Sequence, residues 1–203
     1  MRARHGIAVI DYKAGNLTSV MKALDALGCQ ATVTADPEVV RGAEKVILPG
    51  VGHFQATQML EETGLAAAVG EVIAQGVPFL GICVGLQWLF EGSSEAPAVK
   101  GLGLFSGQCE RFAPGVKVPH VGWNEVHTDA GSRLMHGVED RSFVYYTHSF
   151  RAPVVAETVA VTTYGGPFSG AVERGNVMGV QFHPEKSGTA GMRVLRNFVE
   201  LGC

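Results

Sequence analysis

One cysteine stands where the sequence changes from a strand pattern to a helix pattern. In the apolar stretch PFLGICVGLQWLF, residues 78 to 90, Gly81 and Gly85 lie two residues before and after Cys83. Such a corner is typical of a nucleophile elbow, in which a strained turn exposes the nucleophile and only small neighbours fit. The start of a helix also favours a thiolate over a thiol. We interpret Cys83 as a nucleophile, the alternative being a small buried residue in a tight turn.

The other three cysteines and most of the histidines carry no comparable signal. Cys29 and Cys109 lie in strand-like segments and Cys203 is the last residue, so we interpret all three as structural. Of the seven histidines, only His183 stands at a strand end with a carboxylate two residues later, in GVQFHPEKSG. A histidine in a loop beside a solvated glutamate is the alternative for this tripeptide taken alone.

A cysteine nucleophile needs a base, and the base needs a group that orients it. Residues i and i+2 of an extended segment point to the same side. Glu185 can therefore accept a hydrogen bond from one nitrogen of His183 while the other nitrogen faces the thiol. Together with the corner at Cys83, this pattern predicts a Cys-His-Glu triad.

These residues must be positioned by a sheet, and the first half of the chain has the pattern for one. Apolar strand segments at residues 6–12, 29–35, 43–50 and 77–82 alternate with helical segments. One predicted helix covers residues 16–28, and the segment 54–76 contains two helical pieces that are broken near Gly64. Buried strands separated by helices predict a mostly parallel sheet with helices on both faces, which places Cys83 at its carboxyl edge.

From about Leu102 the segments become short, β-rich and separated by turns, until an amphipathic helix at 191–202. We predict that these are antiparallel strands added to the same unit, since no Pro/Ser-rich linker divides the chain. The predicted organisation is a single α/β domain over residues 1–203.

Composition excludes several classes of protein. The chain has 203 residues, 46% of them hydrophobic, and a net charge of −3, so we expect no nucleic-acid or anionic-membrane partner. There is no long apolar stretch, and the chain begins with a strand pattern, so we expect neither a membrane span nor a signal peptide. The cysteines lack CxxC spacing, which argues against a zinc site or a disulfide scaffold. We expect a cytoplasmic protein without metal or cofactor.

Over essentially its full length the chain resembles the class I, triad-type glutamine amidotransferases, which have a flavodoxin-like fold. The triad of that family falls on Cys83, His183 and Glu185. DYKAGNL (11–17), PHVGWNEV (119–126) and FHPEKSG (182–188) make it similar to the glutaminase subunits of imidazole glycerol phosphate synthase. The sequence departs from the family at Lys13, where a small residue is usual.

The resemblance implies that L-glutamine is the substrate and that a cysteinyl thioester is the intermediate. The oxyanion that forms twice in such a reaction needs backbone N–H donors. Val84, directly after the nucleophile, is the first predicted donor. The second is expected from Val51 or Gly52 in the turn PGVGHF, for which an ordinary strand-to-helix turn is the alternative.

The resemblance also implies a set of substrate-binding residues: Gly50, Gln87, Ser149 and Phe150. Gln87 lies one helical turn after the nucleophile, and a polar residue half-buried at a helix edge is its alternative role. We interpret the neighbouring His148 as a packing or hydrogen-bonding residue rather than a second base.

A biosynthetic glutaminase must pass on ammonia before it becomes non-nucleophilic ammonium. The chain has no GxxxxGK[ST] loop and no sign of a second catalytic domain, so the acceptor chemistry is expected on another polypeptide. The resemblance implies a (βα)₈-barrel synthase (cyclase) subunit, joined in a heterodimer that makes imidazole glycerol phosphate and AICAR for histidine biosynthesis. Candidate contact residues are Lys13, Asn16, Trp123 and Asn124, with core burial as the alternative for Trp123.

Three other functions stay open on the sequence. The chain could be the glutaminase of another synthase, such as the one that makes pyridoxal phosphate. It could be a non-catalytic scaffold subunit of the same fold, against which the intact Cys, His and Glu argue. It could also be a cysteine protease, although no peptide-binding signature is present.

Overall fold

The structure, a computed structural model, describes residues 5–129 and 131–202. The strands are β1 (His5–Ile10), β2 (Ala31–Thr34), β3 (Ala43–Gly50), β4 (Phe79–Cys83), β5 (Gly92–Ser93), β6 (Gln108–Arg111), β7 (His120–Thr128), β8 (Ser142–His148), β9 (Phe150–Arg151), β10 (Thr158–Thr163), β11 (Pro167–Arg174) and β12 (Val177–Val180). The α-helices are α1 (Leu17–Ala26), α2 (Pro37–Arg41), α3 (Gln58–Glu62), α4 (Leu65–Ala74), α5 (Val84–Trp88) and α6 (Gly188–Glu200). Two 3-10 helices cover Phe54–Thr57 and Pro184–Lys186.

Within the described residues, the central sheet has nine strands in the order β2-β1-β3-β4-β12-β11-β10-β7-β8. Its first five strands are parallel, and the register pairs Gly50 with Cys83 and Ile82 with Val180. The ends of β3, β4 and β12 therefore meet at one edge of the sheet. This edge receives Cys83 from β4 and, just beyond β12, His183.

The remaining strands extend the same sheet in antiparallel fashion, from β12 through β11 and β10 to the β7–β8 hairpin. A small second sheet joins β5, β6 and β9. The prediction that the β-rich half is added to the parallel half is confirmed by this continuous hydrogen bonding. One domain over all of residues 1–203 stays a prediction, because it extends beyond the described residues.

The helices form two layers around the sheet. The chain moves one way from β1 to β2 and the other way from β2 to β3, so right-handed crossovers put α1 and α2 on opposite faces. Helix α6 packs with α1, and α4 packs with α2. None of the described helices combines the length and apolar character needed to cross a membrane.

Local sequence explains several helix ends. The Asn16 side chain accepts a hydrogen bond from the Ser19 N–H at the start of α1, and Gly28 (φ 73°) follows its end. Gly64, at φ 77°, separates α3 from α4, as the sequence predicts. Helix α2 was not predicted, although Asp36 caps it and Pro37 occupies its first position.

Candidate active site

Cys83 occupies the strained corner that the sequence predicts. Its backbone has φ 54° and ψ −106°, a conformation that L-residues with a side chain rarely adopt. A Cβ on Gly81 would lie 2.4 Å from the Gly85 carbonyl oxygen, and one on Gly85 would lie 2.0 Å from the Leu48 oxygen. Both glycines are therefore required, because the chain turns back against β4 and packs on β3.

His183 and Glu185 form a buried pair beside this corner. The His183 Nδ1 lies 2.9 Å from the Glu185 Oε1, and both side chains are almost inaccessible to solvent. The segment is held by Tyr145, whose carbonyl accepts the His183 N–H, and by Ser187, whose hydroxyl donates to the His183 carbonyl. The other ring nitrogen, Nε2, has no hydrogen-bond partner of normal length and angle among the described residues. It is the atom that the predicted mechanism requires to be available.

The electrostatics of the site couple His183 to the cysteine. Burial alone would lower the pKa of His183, but the negative charges of Cys83 and Glu185 outweigh it and raise this pKa. A raised pKa favours the protonated, imidazolium form of His183. Tyr12 is also affected, since burial and the nearby Cys83 raise the pKa of its phenol. Its hydroxyl would lie 2.6 Å from a Cβ on Gly50, so a glycine is needed there.

A cleft of about 240 Å³ opens above the Cys83 sulfur. It is lined by Val51, Gly52, Cys83, Val84, Gln87, Glu95, Pro119, Thr147, His148, Ser149 and Phe150. The structure thus brings together all predicted oxyanion and substrate residues except Gly50. Gly50 does not line the cleft, but a Cβ at this position would lie 2.6 Å from the Val84 Cβ. Gly52, at φ 106°, provides the backbone freedom expected of that turn.

The Gln87 side chain is buried and hydrogen-bonded within the protein. Its Nε2 donates to the Phe150 carbonyl at 2.8 Å and to the Gln181 Oε1 at 3.2 Å. Both amide hydrogens are thereby used within the protein, so the side chain can offer a ligand only its oxygen. The alternative of a residue half-buried at a helix edge is wrong, because Gln87 is 2% exposed.

Two residues of the site were missed in the sequence. Gln181 is fully buried, and its Nε2 lies 3.7 Å from the Cys83 sulfur. The alternation rule could have identified it, since it precedes His183 by two residues. Glu95 lines the cleft and accepts a hydrogen bond from the Phe54 N–H at 2.7 Å. It lies in a turn-rich segment with no periodic signal.

The four predicted contact residues differ in their environments. Trp123 is 55% exposed, so the alternative of core burial is wrong. Asn124 is on the opposite face of β7, where it donates to the Thr163 carbonyl, so of this pair only Trp123 projects outward. Lys13 is exposed at φ 65°, with its N–H bonded to Asp11, and Asn16 is occupied as the cap of α1.

Comparisons with known proteins agree on one family. A family model described as glutamine amidotransferase class-I matches residues 8–201. The imidazole glycerol phosphate synthase subunit HisH of Moorella thermoacetica is 50% identical over 198 residues, which are 96% of this chain and 94% of that relative. The HisH subunit of Deinococcus radiodurans is 43% identical over 203 residues, which are 98% of this chain and 94% of that relative.

A solved structure described as a glutamine amidotransferase superposes with a TM-score of 0.76. It covers 96% of this chain and 98% of that chain, at 22% identity, and so supports the fold alone. The predicted fold class is confirmed by this match and by the mixed sheet. The chain therefore belongs to the class I glutamine amidotransferase family, in the branch formed by the HisH subunits of imidazole glycerol phosphate synthase.

Proposed function

We propose that this chain is the glutaminase subunit of imidazole glycerol phosphate synthase, and that Cys83, His183 and Glu185 hydrolyse L-glutamine to glutamate and ammonia. One observation carries the proposal: a cysteine in an elbow interacts with a buried, hydrogen-bonded His–Glu pair, in a chain similar to HisH subunits.

The reaction proceeds in two halves. The Cys83 thiolate attacks the side-chain amide carbon of glutamine, and the tetrahedral intermediate collapses as His183 gives its proton to the leaving nitrogen. Ammonia departs and a glutamyl thioester remains. His183 then takes a proton from water, the resulting hydroxide adds to the thioester, and glutamate leaves as the Cys83 thiolate is restored. Glu185 keeps the imidazole in the required orientation throughout.

Both tetrahedral intermediates carry an oxyanion that must be stabilised. The Val84 N–H, at the start of α5, is one donor, and the turn at Val51 and Gly52 supplies the other. These residues line the same cleft as Cys83, which supports this assignment. Loss of one such donor typically lowers the rate by about 10²- to 10³-fold.

The amino-acid end of glutamine is bound on the opposite wall of the cleft. Ser149, Phe150 and Gln87 all line the cleft. The Gln87 oxygen is the amide atom left for a ligand, since the Gln87 nitrogen donates to the Phe150 carbonyl and to Gln181. The Glu95 carboxylate gives this wall a negative charge suited to the α-ammonium group of an amino acid. Gly50 contributes indirectly, by allowing Val84 to approach.

Ammonia is used by a second polypeptide, a (βα)₈-barrel synthase subunit bound as a heterodimer. The exposed side chains of Val121, Trp123 and Phe143 on the β7–β8 hairpin form an apolar surface suited to a protein partner. The surface continues towards the triad, since Trp123 contacts Tyr145 at 6.0 Å between ring centroids and the Lys186 ammonium lies 5.8 Å from the Tyr145 ring.

Lys13 and Asn16 follow β1 at the same carboxyl edge of the sheet as Cys83 and complete the proposed contact surface. We also place the protein in the cytoplasm, because Cys29, Cys83 and Cys109 are free thiols, which persist in a reducing compartment.

A glutamine-derived chloroketone separates this proposal from a scaffold subunit. The expected result is covalent labelling of Cys83, identified by peptide mass spectrometry, and protection by excess glutamine. Labelling of the buried Cys109 instead, or no labelling, would contradict catalysis. A glutaminase of another synthase is distinguished by testing which synthase subunit the chain binds.

A further inference from the structure

The Cys83 sulfur is the inner end of a continuous string of buried polar groups. Gln181 directs its Nε2 at this sulfur, at 3.7 Å, and is fully enclosed by protein. Its Oε1 accepts from the Gln87 Nε2. If the Gln181 amide were flipped, its oxygen would face the thiolate and its nitrogen would face the Gln87 nitrogen. Both contacts would be repulsive, so the N–H is held towards the sulfur.

The Gln87 amide is itself fixed by the Phe150 carbonyl, to which it donates at 2.8 Å. That carbonyl lies 2.8 Å from a second nitrogen, the His148 Nδ1. A carbonyl only accepts, so His148 carries its proton on Nδ1, and its Nε2 is an acceptor in the neutral ring. The Phe150 oxygen is thus fastened by donors from two different elements, β8 and α5.

The His148 Nε2 receives its hydrogen bond from the next imidazole, whose Nδ1 lies 3.0 Å away in His120. The His120 Nε2 then faces the Asn124 Nδ2 at 3.4 Å. The Asn124 amide cannot flip, because its oxygen accepts from the Glu125 N–H and its nitrogen donates to the Thr163 carbonyl. Every proton position between Asn124 and Phe150 is therefore determined by a backbone group.

The two imidazoles are built to remain neutral. His120 is stacked between Tyr146, at 4.9 Å, and Tyr164, at 4.0 Å between ring centroids. Burial lowers the pKa of His120 to about 4 and that of His148 to about 3. At neutral pH each ring therefore has one donor and one acceptor, as the string requires. The prediction that His148 is a hydrogen-bonding rather than a basic histidine agrees with this geometry.

The direction of the hydrogen bonds shows what the string can do. Donors converge on the Phe150 oxygen from both sides, so no proton can be passed along the whole string. The string instead holds two groups in position. One is the Ser149–Phe150 backbone, which lines the cleft, and the other is the Gln181 amide beside the reacting sulfur.

We propose that Gln181 is a catalytic residue that donates a hydrogen bond to the Cys83 sulfur, and that His148 and His120 are positioning residues that hold it and the substrate-binding backbone in place. The role in turnover rests on the proposed glutaminase function. The bond from Gln181 to the sulfur is independent of that function, and it can be tested on the thiol alone.

The first test is Gln181→Met, which keeps the side-chain volume and removes both amide contacts. Cys83 is alkylated with iodoacetamide in wild type and variant, and modification is followed by mass spectrometry of the Cys83 peptide. Loss of a hydrogen bond to a charged acceptor predicts an alkylation rate at pH 7 about 10-fold lower. Gln108→Met, the same change at an exposed strand position, should react as wild type does. An unchanged rate in Gln181→Met would overturn the bond to sulfur.

The second test compares His120→Phe with His120→Asn. Phenylalanine preserves the stacking but leaves the His148 Nε2 without its donor, whereas the asparagine Nδ2 takes the place of the lost Nδ1. With the liganded synthase subunit bound, we expect about a 3- to 10-fold higher KM for glutamine in His120→Phe, and recovery to within about 2-fold of wild type in His120→Asn.

Two results would overturn the positioning role: kinetics of His120→Phe equal to wild type, or equal impairment of both variants, which a merely structural role predicts. If wild type releases no ammonia at all, the proposed function fails, whereas the alkylation experiment still decides whether Gln181 acts on the sulfur.

Discussion

At the scale of single residues, the site depends on a backbone conformation that the nucleophile itself resists. Cys83 has a positive φ with ψ near −106°, outside the left-handed region that asparagine and aspartate tolerate. Strain of this kind costs about 1–3 kcal/mol and persists only where the surroundings enforce it. Here the enforcement comes from the packing of β4 and α5 on β3.

This strain predicts an unusual order of stability. Cys83→Gly should be more stable than Cys83→Ala by about 1 kcal/mol, because only glycine adopts the conformation without cost. Both variants lack the thiol and should release no ammonia. Urea unfolding of the two proteins measures the difference. An alanine variant as stable as the glycine variant would show that the corner is not strained.

The residues that could be predicted from the sequence are those with local signals. The corner glycines mark Cys83, and the i, i+2 spacing marks His183 and Glu185. Gln181 has the same spacing from His183, so alternation places it on the same side, but it is not singled out as part of the site until the sulfur is placed beside it. The inward direction of Asn124 depends on Thr163, a partner distant in sequence.

At the scale of elements, the elbow works only because α5 lies directly against β3. A Cβ at position 85 would meet the Leu48 backbone at 2.0 Å, and backbone cannot move away as a side-chain end can. Gly85→Ala should therefore lower the free energy of unfolding by about 3 kcal/mol, at the upper end of overpacking costs.

The matched control is Gly70→Ala in α4. This glycine has open space at its Cβ position and an ordinary helical backbone, so alanine should stabilise the protein by about 0.5–1 kcal/mol. Denaturant melts of both variants provide the comparison. If both substitutions changed the free energy of unfolding in the same direction, the packing argument would be contradicted.

The histidine pair makes the β7–β8 hairpin sensitive to acid. The pKa of His120 falls from 6.5 to about 4 on folding, so between these values the unfolded chain binds a proton that the folded chain does not. Stability should therefore decrease as the pH falls through this window. In His120→Phe, the free energy of unfolding should decrease less between pH 6.5 and pH 4 than it does in wild type, although the variant is already less stable at pH 7.

Urea midpoints measured at pH steps, in wild type and His120→Phe, test this. The comparison cancels the carboxylates that also titrate there, Glu71, Glu125 and Glu173 among them. Parallel curves for the two proteins would mean that the pKa of His120 is the same in the folded and the unfolded chain.

Element types followed from periodicity, whereas the order of the strands did not. The break at Gly64 and the cap at Gly28 have clear signals, but the five-residue α2 is too short for a periodic pattern. That β12 inserts beside β4 depends on contacts about a hundred residues apart. This placement brings His183 to Cys83. The two motifs predict that these side chains meet, but they do not predict the strand order that brings them together.

At the scale of the whole molecule, the carboxyl edge of the parallel strands carries the proposed catalytic residues, and the β7–β8 hairpin presents an apolar surface beside it. Trp123→Ala should weaken binding of the proposed synthase subunit by at least about 10-fold, because exposed aromatic residues dominate such interfaces. The folding stability of the Trp123→Ala variant itself should change little. Calorimetric titration measures the affinity.

The control for this variant is Val33→Ala. Val33 is an exposed apolar residue on β2, which lies at the other end of the strand order from the β7–β8 hairpin. It should bind the synthase subunit as wild type does. Equal affinities of Trp123→Ala and wild type would remove the hairpin from the proposed interface. The sequence does not decide whether Trp123 lies in the core or on the surface. A single tryptophan in an alternating strand carries no signal that shows which face of the sheet is covered.

The most direct measurement for the whole account is ammonia release from L-glutamine by wild type and Cys83→Ser, each with and without the synthase subunit and its nucleotide ligand. We predict release by wild type that rises when the liganded partner is added, and a loss of at least about 10³-fold in Cys83→Ser under both conditions. Release by Cys83→Ser at the wild-type rate would contradict it.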